Sequence, residues 1–199
     1  MSADKQLWLL AGGNGAGKST YYEQFLKPLN LPFINADIMA KELDNENAEA
    51  VSYKAAKLAE KLRNSLLQSG ISFCFETVFS HTSKIDFLAT AKSLGYEIIL
   101  IYIHLQNDEL NQARVAQRVS EGGHAVPVDK IISRIPRTMS NIKQALPLVD
   151  TAKFYDNSSH TQPFIDVAQL TAGKLSMSFK TPPDWVITIL AEYLVKPDD

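Results

Sequence analysis

Apolar residues recur along this 199-residue chain in two rhythms. Short, nearly unbroken runs at residues 7–11, 31–34, 71–75 and 98–103 predict strands of a covered sheet, and Ile98-Ile99-Leu100-Ile101-Tyr102-Ile103 marks its middle. Lys153-Phe154-Tyr155-Asp156-Asn157 predicts a last parallel strand with a polar end. Helical spacing fills the intervals. Residues 21–26 predict a short helix, Pro28 and Pro32 bracket a turn, and Val51, Ala55, Leu58, Leu62 and Leu66 share one face of a helix over 47–69 that Gly70 stops. Ser80 to Thr82 offer caps for a helix reaching Leu94, closed by Gly95. Asn107 or Asp108 caps the next, which carries Arg114 and Arg118 one turn apart before Gly122-Gly123-His124 interrupts it. Pro127 starts a further stretch through Ile131, Ile132, Arg134 and Ile135, and Pro136 either kinks it or opens a new helix to about residue 146. Residues 163–167 and 174–179 predict a hairpin around Ala172-Gly173, followed by a helix over 183–194.

Strands alternating with helices imply an α/β fold: a mainly parallel sheet flanked by helices with right-handed crossovers, one domain over residues 1–199. Residues 107–146 form an arginine-bearing helical lid on this reading, and 160–196 a C-terminal hairpin and helix. No internal repeat or low-complexity tract is present.

Composition narrows the partners. The net charge is −2, without the basic stripe that would draw the chain onto bulk nucleic acid or an anionic membrane. Cys74 is the one cysteine, so no intramolecular disulfide or cysteine zinc cluster is available, and its place between Phe73 and Phe75 suits a buried hydrophobe. With no apolar run near the length of a membrane span, the chain reads as soluble and cytoplasmic.

Chemistry concentrates first in Gly12-Gly13-Asn14-Gly15-Ala16-Gly17-Lys18-Ser19-Thr20, which satisfies G-x-x-x-x-G-K-[ST] between a predicted strand and a predicted helix. Its glycines let backbone N–H groups turn inward around nucleotide phosphates, Lys18 reaches the β- and γ-phosphates, and Ser19 offers a hydroxyl to Mg²⁺. Gly13, Asn14, Gly15, Ala16, Gly17, Lys18, Ser19 and Thr20 are therefore the candidate nucleotide cradle. The loop does not by itself distinguish a kinase from other nucleotide-binding classes. There is no N-K-x-D guanine signature, and His104-Leu105-Gln106 follows the central strand where a conventional ATPase carries an aspartate. A small-molecule kinase remains.

Together with Asn35-Ala36-Asp37, Phe75-Glu76-Thr77, Arg114 to Val119, Gly122 to Pro127, Arg134 and Tyr155-Asp156-Asn157, the loop resembles the zeta toxin family of P-loop kinases over roughly residues 6–158. The resemblance implies ATP and Mg²⁺ as cofactors, a small-molecule acceptor such as the sugar hydroxyl of UDP-N-acetylglucosamine, and a small antitoxin as candidate partner. It implies that Asp37 receives the proton of the acceptor hydroxyl, although aspartate also suits an N-cap for a helix beginning near Ile38. Glu76 would hold a water on Mg²⁺ or contact the acceptor with Thr77. Arg118 and Arg134 are the candidate lid cations, supported by Arg114 and Arg137, and Gly122-Gly123 is a candidate hinge. Asn157 either meets the adenine or closes an Asx turn. The four histidines, Trp8 and Trp185 read as structural. Two other functions fit the same residues: phosphorylation of a polynucleotide end, antibiotic or nucleoside, and nucleotide-dependent regulation with little turnover.

Overall fold

Seven of the eight residues of the central strand, Glu97–His104, are buried, as a strand covered on both faces requires. Around it the computed structural model, which describes residues 5–121 and 126–194, arranges a single-domain α/β fold. The strands are β1 (Gln6–Gly12), β2 (Phe33–Ile34), β3 (Phe73–Thr77), β4 (Glu97–His104), β5 (Thr151–Asp156), β6 (Ile165–Thr171) and β7 (Lys174–Met177). Their spatial order is β2-β3-β1-β4-β5-β6-β7, parallel through β5 and antiparallel at β6 and β7. The hairpin turn falls on Ala172 and Gly173, both with positive φ as a type I′ turn demands.

The helices are α1 (Lys18–Tyr21), which widens into a π turn over Tyr22–Leu26, α2 (Ala36–Leu43), α3 (Ser52–Gln68), α4 (Ser83–Ser93), α5 (Asp108–Ser120), α6 (Val128–Ala145) and α7 (Asp184–Leu194). Side chains alternate across the sheet, so Leu7, Leu9, Phe73, Phe75, Leu100, Tyr102 and Phe154 face one side while Leu10, Cys74, Ile99 and Ile101 face the other. The first side receives α3, α4, α6 and α7 through Ala59, Leu88, Ile142 and Ile189 among others. The second is covered by Ala16, Tyr21 and Leu26 from the segment after β1. Cys74 is buried in this second core, where loss of hydration pushes its thiol up to about 12.

The reading of the long helix changes. The long helix starts at Ser52 rather than near residue 47, and its buried stripe is Ala55, Ala59, Arg63 and Leu67, leaving Leu62 41% exposed. The two candidate stripes lie side by side on one cylinder, and the sheet selected the one that carries small residues and an arginine. Of the two readings of Pro136, the opening of a new helix is excluded, because α6 runs continuously through it. Within the arginine-bearing segment, Thr138, Asn141, Ile142 and Ala145 of α6 are buried.

Candidate functional site

The phosphate loop is shaped by what presses on it. Gly17 has φ 97° and lies against the Asn157 side chain, so a Cβ there would collide with Asn157 Nδ2. Gly15 has φ 79°, and its Cβ would lie 2.7 Å from the carbonyl oxygen of Asn111. Asn111 Nδ2 donates to the Asn14 carbonyl at 2.6 Å, and Asn157 Nδ2 donates to the Ala16 carbonyl at 2.9 Å. Both asparagines are buried, one on α5 and one just after β5. They clamp the loop from two sides. Asn157 also accepts the Phe164 N–H at 3.2 Å, so its side chain braces the loop, while the residue still lines the cavity beside it. Asn111 was not anticipated; a polar residue within the apolar face of α5 is the one signal for it.

Lys18 is nearly buried and donates to the Gly12 and Gly13 carbonyls at 3.0 Å each. Its Nζ lies 3.6 Å from Glu76 Oε1. Glu76, at the end of β3, also meets Asn35 Nδ2 at 2.8 Å and Ser19 Oγ at 3.5 Å. Burial pushes the Glu76 carboxyl up; Lys18 opposes this, and nearby Asp37 adds to it. The cap of α2 is Asn35, not Asp37: Asn35 Oδ1 accepts the N–H groups of Asp37 and Ile38 at 2.8 and 3.2 Å. The helix therefore begins two residues earlier than expected, and Asp37 projects from its first turn with its carboxylate exposed toward a cavity.

That cavity, about 610 Å³, is lined by Asp37, Asn14, Thr77, Arg134 and the wall of α3. A second, about 390 Å³, is lined by Gly15, Gly17, Ser19, Thr20, Arg114 and Asn157. Lys18, Glu76 and Arg118 line both and so stand where the two meet. Arg134 approaches Asn14 Oδ1 at 3.4 Å. Arg137 departs from its expected supporting role: its guanidinium turns onto its own helix, donating to the Ser133 carbonyl at 2.9 Å and to Ser133 Oγ at 3.1 Å, and it lines neither cavity. Gly122, Gly123 and His124 lie outside the described residues. His104 is buried, its Nδ1 3.0 Å from the Tyr102 hydroxyl and its ring against Trp185.

Two pins not foreseen from sequence hold the floor of the larger cavity. Thr138 Oγ1 donates to the Val78 carbonyl and Asn141 Nδ2 to the Phe79 carbonyl, both at 2.9 Å, fixing the turn in which Phe79 adopts φ 63°. Among the described residues no group of three or more His, Cys, Asp and Glu is placed to hold a metal ion. No helix among them is long and apolar enough to cross a membrane.

Several known proteins are similar to this chain in sequence or fold. An uncharacterized protein of Haemophilus influenzae (strain ATCC 51907 / DSM 11121 / KW20 / Rd) is 31% identical over 132 residues, covering 63% of this chain and 94% of its own. The fold resembles a chain of the AvrRxo1-ORF1:AvrRxo1-ORF2 crystal structure with sulphate ions, at TM-score 0.73 and 19% identity over 89% of this chain. The same complex determined with ATP gives the same TM-score. This chain spans 62% and 61% of those two chains. A structure from the PezAT chromosomal toxin–antitoxin system of Streptococcus pneumoniae matches at TM-score 0.61 and 20% identity, over 83% of this chain and 72% of that one. A family match over most of the chain supports a kinase-type, nucleotide-binding function. The family profile described as Zeta toxin matches residues 2–165, most of the chain and every element that builds the two cavities, and on that ground the protein belongs to the Zeta toxin family.

Proposed function

We propose that this protein is an ATP- and Mg²⁺-dependent kinase that phosphorylates a hydroxyl of a small acceptor, with a nucleotide sugar such as UDP-N-acetylglucosamine as the first candidate. The observation that carries this reading is the meeting of a phosphate-loop cavity and an Asp37-lined cavity at Lys18, Glu76 and Arg118. A phosphoryl-transfer enzyme needs one site for donor, one for acceptor and cations between them.

The residues fit the donor. The loop glycines leave room for backbone N–H groups to approach phosphate oxygens, and Lys18 is already drawn to the loop's centre. Mg²⁺ beside nucleotide phosphates needs only one or two protein groups; Ser19 would hold it by its hydroxyl, and Glu76 would hold one of its waters or contact the acceptor. Bound ATP and Mg²⁺ supply the transferable γ-phosphoryl group and neutralise its oxygens. Asp37 accepts the proton of the acceptor hydroxyl as that oxygen bonds to the γ-phosphorus and the bond to the β-phosphate oxygen breaks, leaving ADP. Lys18, Arg118 and Arg134 hold charge on the phosphoryl oxygens, and Thr77 lines the acceptor's side. A small antitoxin partner is proposed from the likeness to the PezAT system, and a cytoplasmic setting accords with a lone, buried cysteine.

Mass spectrometry of UDP-N-acetylglucosamine and other hydroxyl compounds incubated with protein, ATP and Mg²⁺ tests the reading. Wild type adds one phosphoryl group; Asp37→Asn loses ~10²-fold or more of the rate while still binding ATP. Transfer that survives undiminished in Asp37→Asn would sink its role as base, and ATP binding without transfer to any acceptor would sink the kinase.

A further inference from the structure

One residue of the α3 core stripe does not belong to a core. Arg63 follows Ala55 and Ala59 at four-residue spacing and precedes Leu67, yet it is an arginine only 7% exposed. Its guanidinium carbon lies 5.2 Å from the centre of the Phe75 ring and 5.8 Å from that of Phe87. Among the described residues nothing forms a hydrogen bond or ion pair with it, and Nε is buried without a partner. Glu60, one turn away, is exposed and outside salt-bridge distance. A buried cation without a counter-ion is costly, and the faces of Phe75 and Phe87 offset only part of that cost.

What surrounds Arg63 indicates what completes it. Arg63 lines the larger cavity, and so does half-buried Lys84 of α4, whose ammonium is disfavoured by burial and further by the Arg63 charge. Lys57 and Lys130 stand exposed among the same lining residues. The acids on this wall, Glu49 and Glu60, are exposed. Asp37 and Glu76 line the same cavity where it meets the phosphate loop.

We propose that Arg63 and Lys84 form an oxyanion subsite in the acceptor cavity, so that the acceptor is a hydroxyl compound carrying its own phosphoryl or carboxylate group. This rests on the kinase reading and narrows it. The planar fork of Arg63, stiffened by two aromatic rings, takes the anion's oxygens, and Lys84 adds a mobile charge. With that group anchored, Asp37 meets a hydroxyl at a fixed distance from it. A sugar hydroxyl without an anion lacks the anchor.

Two measurements test this. First, orthophosphate is titrated calorimetrically into protein saturated with Mg²⁺ and a non-hydrolysable ATP analogue, so that the phosphate loop is filled. Wild type binds one phosphate; Arg63→Met and Lys84→Gln each weaken it ~10-fold or more while analogue affinity is unchanged. Second, phosphoryl transfer is compared between UDP-N-acetylglucosamine and N-acetylglucosamine, and between nucleoside monophosphates and nucleosides. The anionic member of the preferred pair leads by ~10-fold or more in kcat/KM, and Arg63→Met removes that lead through KM. Thermal unfolding separates anchoring from packing. Arg63→Met keeps the apolar contacts and removes an unpaired charge, so its midpoint is equal to or above wild type, whereas a merely structural arginine would lower it. Phosphate binding indifferent to both substitutions, or a neutral acceptor preferred with transfer intact, overturns the subsite alone. Phosphate binding lost in Arg63→Met with no transfer to any acceptor overturns the kinase and leaves the subsite.

Discussion

Arg118 and Arg137 look alike in the sequence and separate in the structure. Both belong to the arginine-bearing helices, but Arg118 lines both cavities while Arg137 bonds to Ser133 of its own helix. Replacing Arg118 with alanine should cost ~10³-fold in the rate of transfer, the scale of an arginine that stabilises a moving phosphoryl group. Arg137→Ala should stay within about twofold, since it removes only bonds at an exposed helix surface. Steady-state kinetics of the two variants side by side decide the assignment, and equal losses would return Arg137 to the site. Helical spacing places arginines on a face but does not say which neighbouring element that face meets, so the arginine cluster was legible and its membership was not.

The turn from β2 into α2 shows what an element adds. Asn35 caps the helix with its carbonyl oxygen and donates from its amide nitrogen to Glu76, so one side chain positions both acids. Asn35→Ala should destabilise the fold by about 1–2 kcal/mol, from the lost cap and Glu76's lost donor. Asn35→Asp should keep the cap but set a second carboxylate against Glu76. Its activity at neutral pH should fall further than its stability does, a split that denaturant titration and kinetics on the same samples would reveal. At the turn after β3, Asn141→Leu strands the Phe79 carbonyl, and a loss of about 1–3 kcal/mol in urea unfolding is expected. Strand and helix types were readable here from local pattern, whereas the identity of the cap depended on where the chain leaves β2.

The whole molecule is a sheet with one heavily covered face, and His104 ends its central strand, packed against Trp185 of α7. Burial holds its imidazole down to about 4, with Asp156 opposing. The folded state then binds this proton less readily than the unfolded chain does. Stability is full above the unfolded value near 6.5 and falls as pH drops toward 4, by about 2 kcal/mol between about pH 7.5 and about pH 5. Glu76 acts in the opposite sense: its raised value favours the folded state at low pH, and that contribution is lost as pH rises. The His104 part is therefore isolated as the difference between wild type and His104→Gln in urea midpoints measured across this range. A parallel pH dependence in the two proteins would rule His104 out as its source.

Local pattern alone determined the strand–loop–helix that makes the phosphate loop, the central strand Ile98 to Ile103, the hairpin about Ala172-Gly173 and the place of Glu76 at the end of its strand and of Asp37 just beyond β2, because each is written in contiguous residues. Tertiary structure decided which face of α3 is buried, that Asn111 and Asn157 clamp the loop, and that Arg63 lines the larger cavity. These contacts join residues far apart in the chain: 97 positions separate Asn111 from Asn14 and 141 separate Asn157 from Ala16. Periodicity records the angle of a side chain about its own axis, and only the packing of one axis on another says what that side chain meets.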